Sequence, residues 1–125
     1  MRLLLTITAI AEAATGVALL TVPVLLTSLL FGGPLDTSGL VVARVTGAAL
    51  IALAIICWRA RMDERRLAAG GIIAAMLFYN LAVAVVLAYS GSGEKQVGIL
   101  LWPVVILHAA LAGWCITHLL RYRNG

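Results

Sequence analysis

Arg59-Ala60-Arg61-Met62-Asp63-Glu64-Arg65-Arg66 is the only dense run of charge in the chain, and it falls at the midpoint of an otherwise apolar sequence. The segments on either side are too long and too apolar to remain in water. A charged run in that position reads as the turn between two membrane hairpins and as the anchor that sets their orientation in the bilayer.

Composition points the same way. Of 125 residues, 63% are hydrophobic and only 11% charged, with a mean hydropathy of +1.10. Soluble domains average about 45–50% apolar and about 25% charged. A spanning helix needs roughly 20 mainly apolar residues. The length therefore holds four spans in a single transmembrane domain, residues 1–125, and leaves nothing over for a soluble one. The net charge of +4 does not indicate nucleic acid, because the basic residues form no stripe between aromatic ones. They lie at helix ends, facing lipid head groups. Met1-Arg2 followed by the apolar run to Ala11 imitates a signal peptide, with Ala9-Ile10-Ala11 as the cleavage site. At about 11 residues it is shorter than the roughly 15–30 expected, and it reads as the start of an uncleaved helix.

The four helices are expected at about residues 3–31, 40–58, 67–89 and 97–120. Pro23 gives the long first span a place to bend, since it lacks a backbone donor and crowds the preceding turn. The turn formers at 32–39, which include no Lys or Arg, read as a short exterior loop, and 90–96 as a polar connector. Arg2, Arg59, Arg61, Arg65, Arg66, Arg121 and Arg123 fall on one side of this topology, against Lys95 on the other. By the positive-inside rule both termini and the central loop are cytoplasmic. Trp58, Trp114 and Tyr122 then approach the inner interface, and Phe31, Tyr89 and Trp102 the outer one. Short connections make neighbouring helices antiparallel, so the expected fold is all-α, an up-down four-helix bundle. Small-residue pairs that let membrane helices approach closely occur at Ala43 and Gly47, Ala48 and Ala52, Gly71 and Ala75, and Ala109 and Gly113. Cys57 and Cys115 both fall near the cytoplasmic side and read as unpaired thiols.

Each helix carries one side chain that hydrocarbon penalises: Glu12, Arg44, Asn80 and His108. A charge at a helix centre costs about 2.5–3.5 kcal/mol on insertion scales, so these residues call for partners or a role. Counted from the inner helix ends, Arg44 and Asn80 lie at about 20 Å, His108 at about 18 Å and Glu12 at about 13 Å. Thr8, Glu12, Thr15 and Gly16 share one helical stripe, and Arg44, Gly47 and Ala48 another. Both stripes are expected to face inward. Two readings follow: a buried Glu12–Arg44 ion pair that fixes helix register, with Asn80 and His108 completing its hydrogen bonds, or a cluster that holds a ligand or relays a proton.

His108 alone supports three roles: a satisfied hydrogen-bonding residue, a proton carrier, or an axial haem or chlorin ligand. The last lacks a mate, because His118 lies ten residues on, near the inner interface. Cys115 and His118 could share a metal, but four ligands are usual for zinc and no others are evident; interfacial packing is the plainer reading. Tyr79 with Asn80 could cap a pocket, although packing is the plainer reading of Tyr79. The arginine loop suits anionic lipid head groups, although topology already accounts for it. Catalytic order of the Ser-His-Asp kind, paired carboxylates, a phosphate loop and a CxxC motif are all missing, so no catalytic residues are assigned.

Two families come to hand at these residues. Ala11-Glu12-Ala13-Ala14-Thr15-Gly16 resembles the Ala-Glu-x-x-Gly-Thr of small multidrug resistance transporters, with the last two residues exchanged. Those proteins have four helices, and a membrane glutamate exchanges protons for cationic drugs, which would make Glu12 the coupling residue of a homodimer. Pro23 with Leu29-Leu30-Phe31-Gly32, followed by Val42-Ala43-Arg44-Val45-Thr46-Gly47-Ala48, resembles small DoxX-like bacterial inner-membrane proteins over most of the chain, and implies the same four-helix fold. The expected function is that of a non-enzymatic accessory subunit or small-ligand-binding protein, with membrane lipid and a homo-oligomer or larger membrane complex as partners. A proton-coupled transporter is the alternative, followed by a haem- or pigment-binding subunit; otherwise no cofactor is implied.

Overall fold

The computed structural model describes residues 1–62, 67–93 and 97–123. Asp63 to Arg66, the second half of the central charged run, lie outside the described residues, as do Lys95 and its neighbours Glu94 and Gln96. The described residues form five helices, α1 (Arg2–Thr21), α2 (Pro23–Phe31), α3 (Thr37–Ala60), α4 (Leu67–Ser92) and α5 (Leu101–Arg123), and no strand. Four of them contain segments long and apolar enough to cross a membrane: Arg2–Thr21, Thr37–Ala60, Gly70–Ser92 and Leu101–Arg121.

The single first span expected at 3–31 is two helices. Pro23 cannot donate to the Leu19 carbonyl, and Val22 leaves the helical region at φ −131°, ψ 51°. Pro23 then opens α2 at the first-turn position, where a missing donor costs nothing. α1 alone is therefore the segment long and apolar enough to span, and α2 is a separate nine-residue helix after the break at Val22. The other boundaries also move. Asp36 caps α3 by accepting a 2.7 Å hydrogen bond from the Gly39 N–H, so the helix starts at Thr37 rather than Leu40. α4 continues through Ser90 and Gly91 to Ser92, where a polar connector was expected.

α5 begins at Leu101, later than expected, because residues 98–100 have another task. α2 ends at Gly32, whose φ of 79° suits glycine. Carbonyls in the last turn of a helix have no partners within it. Two of these are met from outside: Gly98 N–H donates to the Leu30 carbonyl at 2.8 Å, and Leu100 N–H to that of Leu29 at 2.9 Å. The segment between α4 and α5 is thereby tied across the end of α2.

α1 packs on α3, and α4 on α5, more extensively than the two pairs pack on each other. Both pairs are antiparallel, since Gly16 meets Gly47 while Ala9 and Ala13 lie with residues 51–59, and Tyr79 and Asn80 meet His108 while Gly91 meets Leu101. α1 and α3 each bury a stripe at intervals of three and four residues: Leu5, Thr8, Glu12, Gly16 and Leu19 on α1, and Ala43, Gly47, Leu50, Ala54 and Cys57 on α3. At the crossing, a Cβ on Gly16 would lie 2.7 Å from the Gly47 carbonyl oxygen, and one on Gly47 2.8 Å from that of Gly16. Of the four small-residue pairs, only Ala43 and Gly47 is buried; Ala48 and Ala52, Gly71 and Ala75, and Ala109 and Gly113 face outward.

The two pairs join through one apolar cluster that includes Leu4, Leu5, Cys57, Ile73, Met76, Leu111 and Cys115. Both cysteines are free thiols buried within it. The Met1 nitrogen lies 3.3 Å from His118 Nε2, which places the start of α1 beside the end of α5.

Candidate functional site

Glu12, Tyr79, Asn80 and His108 converge where the two pairs meet. Glu12 sits on the buried stripe of α1 and is only 4% exposed. Its Oε2 accepts a 3.2 Å hydrogen bond from the Tyr79 hydroxyl on α4. The Tyr79 ring meets the His108 ring edge to face, with centroids 5.7 Å apart and planes at 79°. His108 Nδ1 lies 2.8 Å from Asn80 Oδ1, and Asn80, fully buried, donates from Nδ2 to the Met76 carbonyl at 2.7 Å.

These contacts fix a proton position. A carbonyl can only accept, so the Met76 oxygen requires the Asn80 NH2 on its side. The Asn80 carbonyl oxygen then faces His108, and Nδ1 must carry the hydrogen between them. A neutral His108 ring consequently keeps its lone pair on Nε2. Glu12 engages Tyr79 through Oε2, and its Oε1 has no hydrogen-bond partner among the described residues. The site thus offers two acceptors, Glu12 Oε1 and His108 Nε2, beside one phenol.

Glu12, Tyr79 and His108 line a shared cavity of about 100 Å³, walled by Leu26 and Leu30 of α2 and by Val104, Leu107 and Leu111 of α5. A water needs roughly 10–15 Å³ of such space, and drug-sized ligands occupy sites of roughly 300–1,000 Å³. The cavity suits a few waters or one small solute and is too small for a tetrapyrrole.

Three of the four residues singled out in the sequence, Glu12, Asn80 and His108, therefore come together. Arg44 does not. It lies on the exposed face of α3, as does Ala48, and makes no ion pair with Glu12. The expected inward stripe of Arg44, Gly47 and Ala48 is corrected to Ala43, Gly47 and Leu50, a rotation of one residue. Seven residues from the start of α3, Arg44 is about 10 Å below that helix end, and side chains on a helix lean toward the N-terminus. Its guanidinium can reach the nearer membrane surface by extending along α3, which removes the need for a buried counter-charge.

Tyr79, expected to cap a pocket or, more simply, to pack, borders the cavity and joins Glu12 to His108. Its signal was its place directly before Asn80, on a helix whose inward face is otherwise apolar. Thr8 is buried on the Glu12 stripe, whereas Thr15 is exposed and still touches the cavity. His118 stacks on Trp114 with ring centroids 6.3 Å apart, and Cys115 is packed in the core. Among the described residues, no three His, Cys, Asp or Glu side chains gather to hold a metal ion.

Comparison with protein-family models, with curated proteins and with solved structures returns no match to this chain.

Proposed function

We propose that this is a multi-pass membrane protein that binds a small polar or cationic solute in the cavity between Glu12, Tyr79 and His108. In this reading the four long helices form an up-down bundle in a bacterial inner membrane, both termini face the cytoplasm, and the protein acts as a non-enzymatic binding protein or accessory subunit of a larger complex. The observation that carries it is the carboxylate of Glu12. It is buried among apolar helices, has one hydrogen bond, and borders a cavity it shares with a histidine whose second nitrogen is an acceptor. A buried carboxylate kept only for helix register would be met by a cation or by several donors. This one is left with capacity for a ligand.

The test is ligand-induced stabilisation of the detergent-purified protein against a panel of small amines, amides and alcohols. At least one class should raise the melting temperature of the wild type and fail to do so in Glu12→Gln and His108→Leu. Equal stabilisation of all three proteins, or of none, counts against the site.

A second reading, proton-coupled export of a cationic solute, is favoured by the outward placement of Arg44, which leaves Glu12 without a counter-charge among the described residues. Glu12 would then carry either a proton or the solute. In proteoliposomes, a pH gradient should drive uptake by the wild type and not by Glu12→Gln. Binding without gradient-driven uptake would leave the binding protein and remove the transporter.

A further inference from the structure

A second concavity, unconnected with the polar cavity, opens on the outer surface between α1 and α3. Its volume is about 500 Å³. The two helices touch backbone to backbone at Gly16 and Gly47, and the groove lies between that crossing and their Arg2 and Ala60 ends. Ala9, Ala13 and Ala54 form its floor, because methyl groups are all these positions offer. Ile10 and Ile55, 58% and 56% exposed, rise as its walls. The lining is aliphatic until one end, where Trp58 and Arg59 close it. Arg61 lies beside them, its guanidinium carbon 3.3 Å from the Trp58 ring centroid, and its Nε is buried without a hydrogen-bond partner. Arg2 is exposed at the same end.

The polarity of this groove is that of a single class of ligand. A long apolar slot asks for a chain, and arginines gathered at one end ask for an anion attached to that chain. The stacked indole marks the level of the membrane interface, where tryptophan settles and where a lipid phosphate would lie. A guanidinium stacked on an indole face is held in place and still presents its edge N–H groups to an anion. A helix of a second copy could also lie on an alanine floor, but among the described residues it carries no carboxylate at its Arg59 end to meet the arginines that close the groove. We infer that the α1–α3 groove is a binding site for one anionic phospholipid, with an acyl chain along Ala9, Ala13 and Ala54 and the phosphate held by Arg59 and Arg61. The inference rests on the membrane reading above and is independent of the Glu12 cavity.

The test is native mass spectrometry of delipidated protein titrated with phosphatidylglycerol, phosphatidylcholine or inorganic phosphate. The wild type should retain one phosphatidylglycerol, roughly fivefold in preference to phosphatidylcholine, and hold no phosphate. Arg59→Gln, at an exposed position, should bring the two lipids to near parity. Ala13→Leu, which fills the slot, should lower retention of both, and the Arg59→Gln comparison stands by itself if that variant does not fold. Equal retention of the two lipids by the wild type, or an undiminished preference in Arg59→Gln, would overturn the site. Binding of inorganic phosphate as strong as that of the lipid would overturn the acyl-chain part. Failure of the wild type to insert into liposomes would instead strike the membrane reading itself.

Discussion

Between α1 and α3 the backbones meet at Gly16 and Gly47, with no room for a Cβ on either. Between α4 and α5 a side-chain hydrogen bond crosses from His108 to Asn80, which is itself fixed to the Met76 carbonyl of its own helix. In lipid no hydrophobic drive presses helices together, so a membrane protein must use close backbone packing or hydrogen bonds for that purpose. Here each pair relies on one of the two. The difference shows how the site is divided between the pairs. The glycine seam supplies Glu12, one turn before Gly16 on the buried stripe of α1, and the hydrogen-bonded seam supplies Tyr79 and His108, so the cavity lies where the two meet.

Substitutions at the glycine seam should have the largest effect. Gly16→Leu places atoms where the Gly47 carbonyl and Ile51 already lie, and the loss should be about 3 kcal/mol, read as unfolding in mixed micelles. Retention of wild-type stability would show that α1 and α3 can separate without cost. Next comes the polar seam. Asn80→Leu leaves His108 Nδ1 without its partner and should cost about 2 kcal/mol. Adding His108→Leu should restore much of that loss, since removing both partners of a buried hydrogen bond is far milder than removing one. Additive losses in this cycle would mean that the 2.8 Å contact does not hold the pair.

Tyr79→Phe tests the link between the pairs. It should cost about 0.6 kcal/mol, in line with hydrogen bonds between membrane helices, and should weaken ligand stabilisation more than it weakens the fold. The smallest effect is expected at Arg44. Arg44→Ala should change stability by less than about 0.5 kcal/mol, and its effect should add to that of Glu12→Ala in a double-mutant cycle. Strong coupling between those two sites would restore the buried ion pair and undo the contrast between an inward Glu12 and an outward Arg44.

The four long apolar segments and their approximate extent were legible in the sequence because they depend on length and hydropathy, which a single chain displays. The break at Pro23 was also visible, as a missing donor, although only the structure shows it ending one helix and starting another. Facing was harder to read. In a water-soluble helix polar residues mark the outer side, but in a lipid-facing helix both sides are apolar and the usual contrast disappears. On α3, Ala43 and Arg44 differ by about 100° in direction, and Gly47 fits a stripe with either. Arg44 was drawn inward on the assumption that a membrane charge needs a partner, whereas its position one to two turns from the helix start lets the long side chain reach the surface. Glu12 had no such route: its side chain is short, and Gly16 on the same stripe marks the closest approach to α3. The tie from residues 98–100 to α2 could not be read at all, since backbone hydrogen bonds between distant segments leave no mark on residue identity.

That tie has a mechanical consequence. α2 supplies Leu26 and Leu30 to the cavity wall, yet at Pro23 its backbone is only loosely continuous with α1, and at its far end it is fastened by the Gly98 and Leu100 amides. Swinging α2 aside would leave the glycine seam intact, but it would unfasten those two amides and part Leu26 from Leu19, Ala43 and Leu50. The resistance of the wall beside Glu12 is therefore set by two hydrogen bonds in a loop together with one small apolar contact, apart from the main cluster that joins the two pairs.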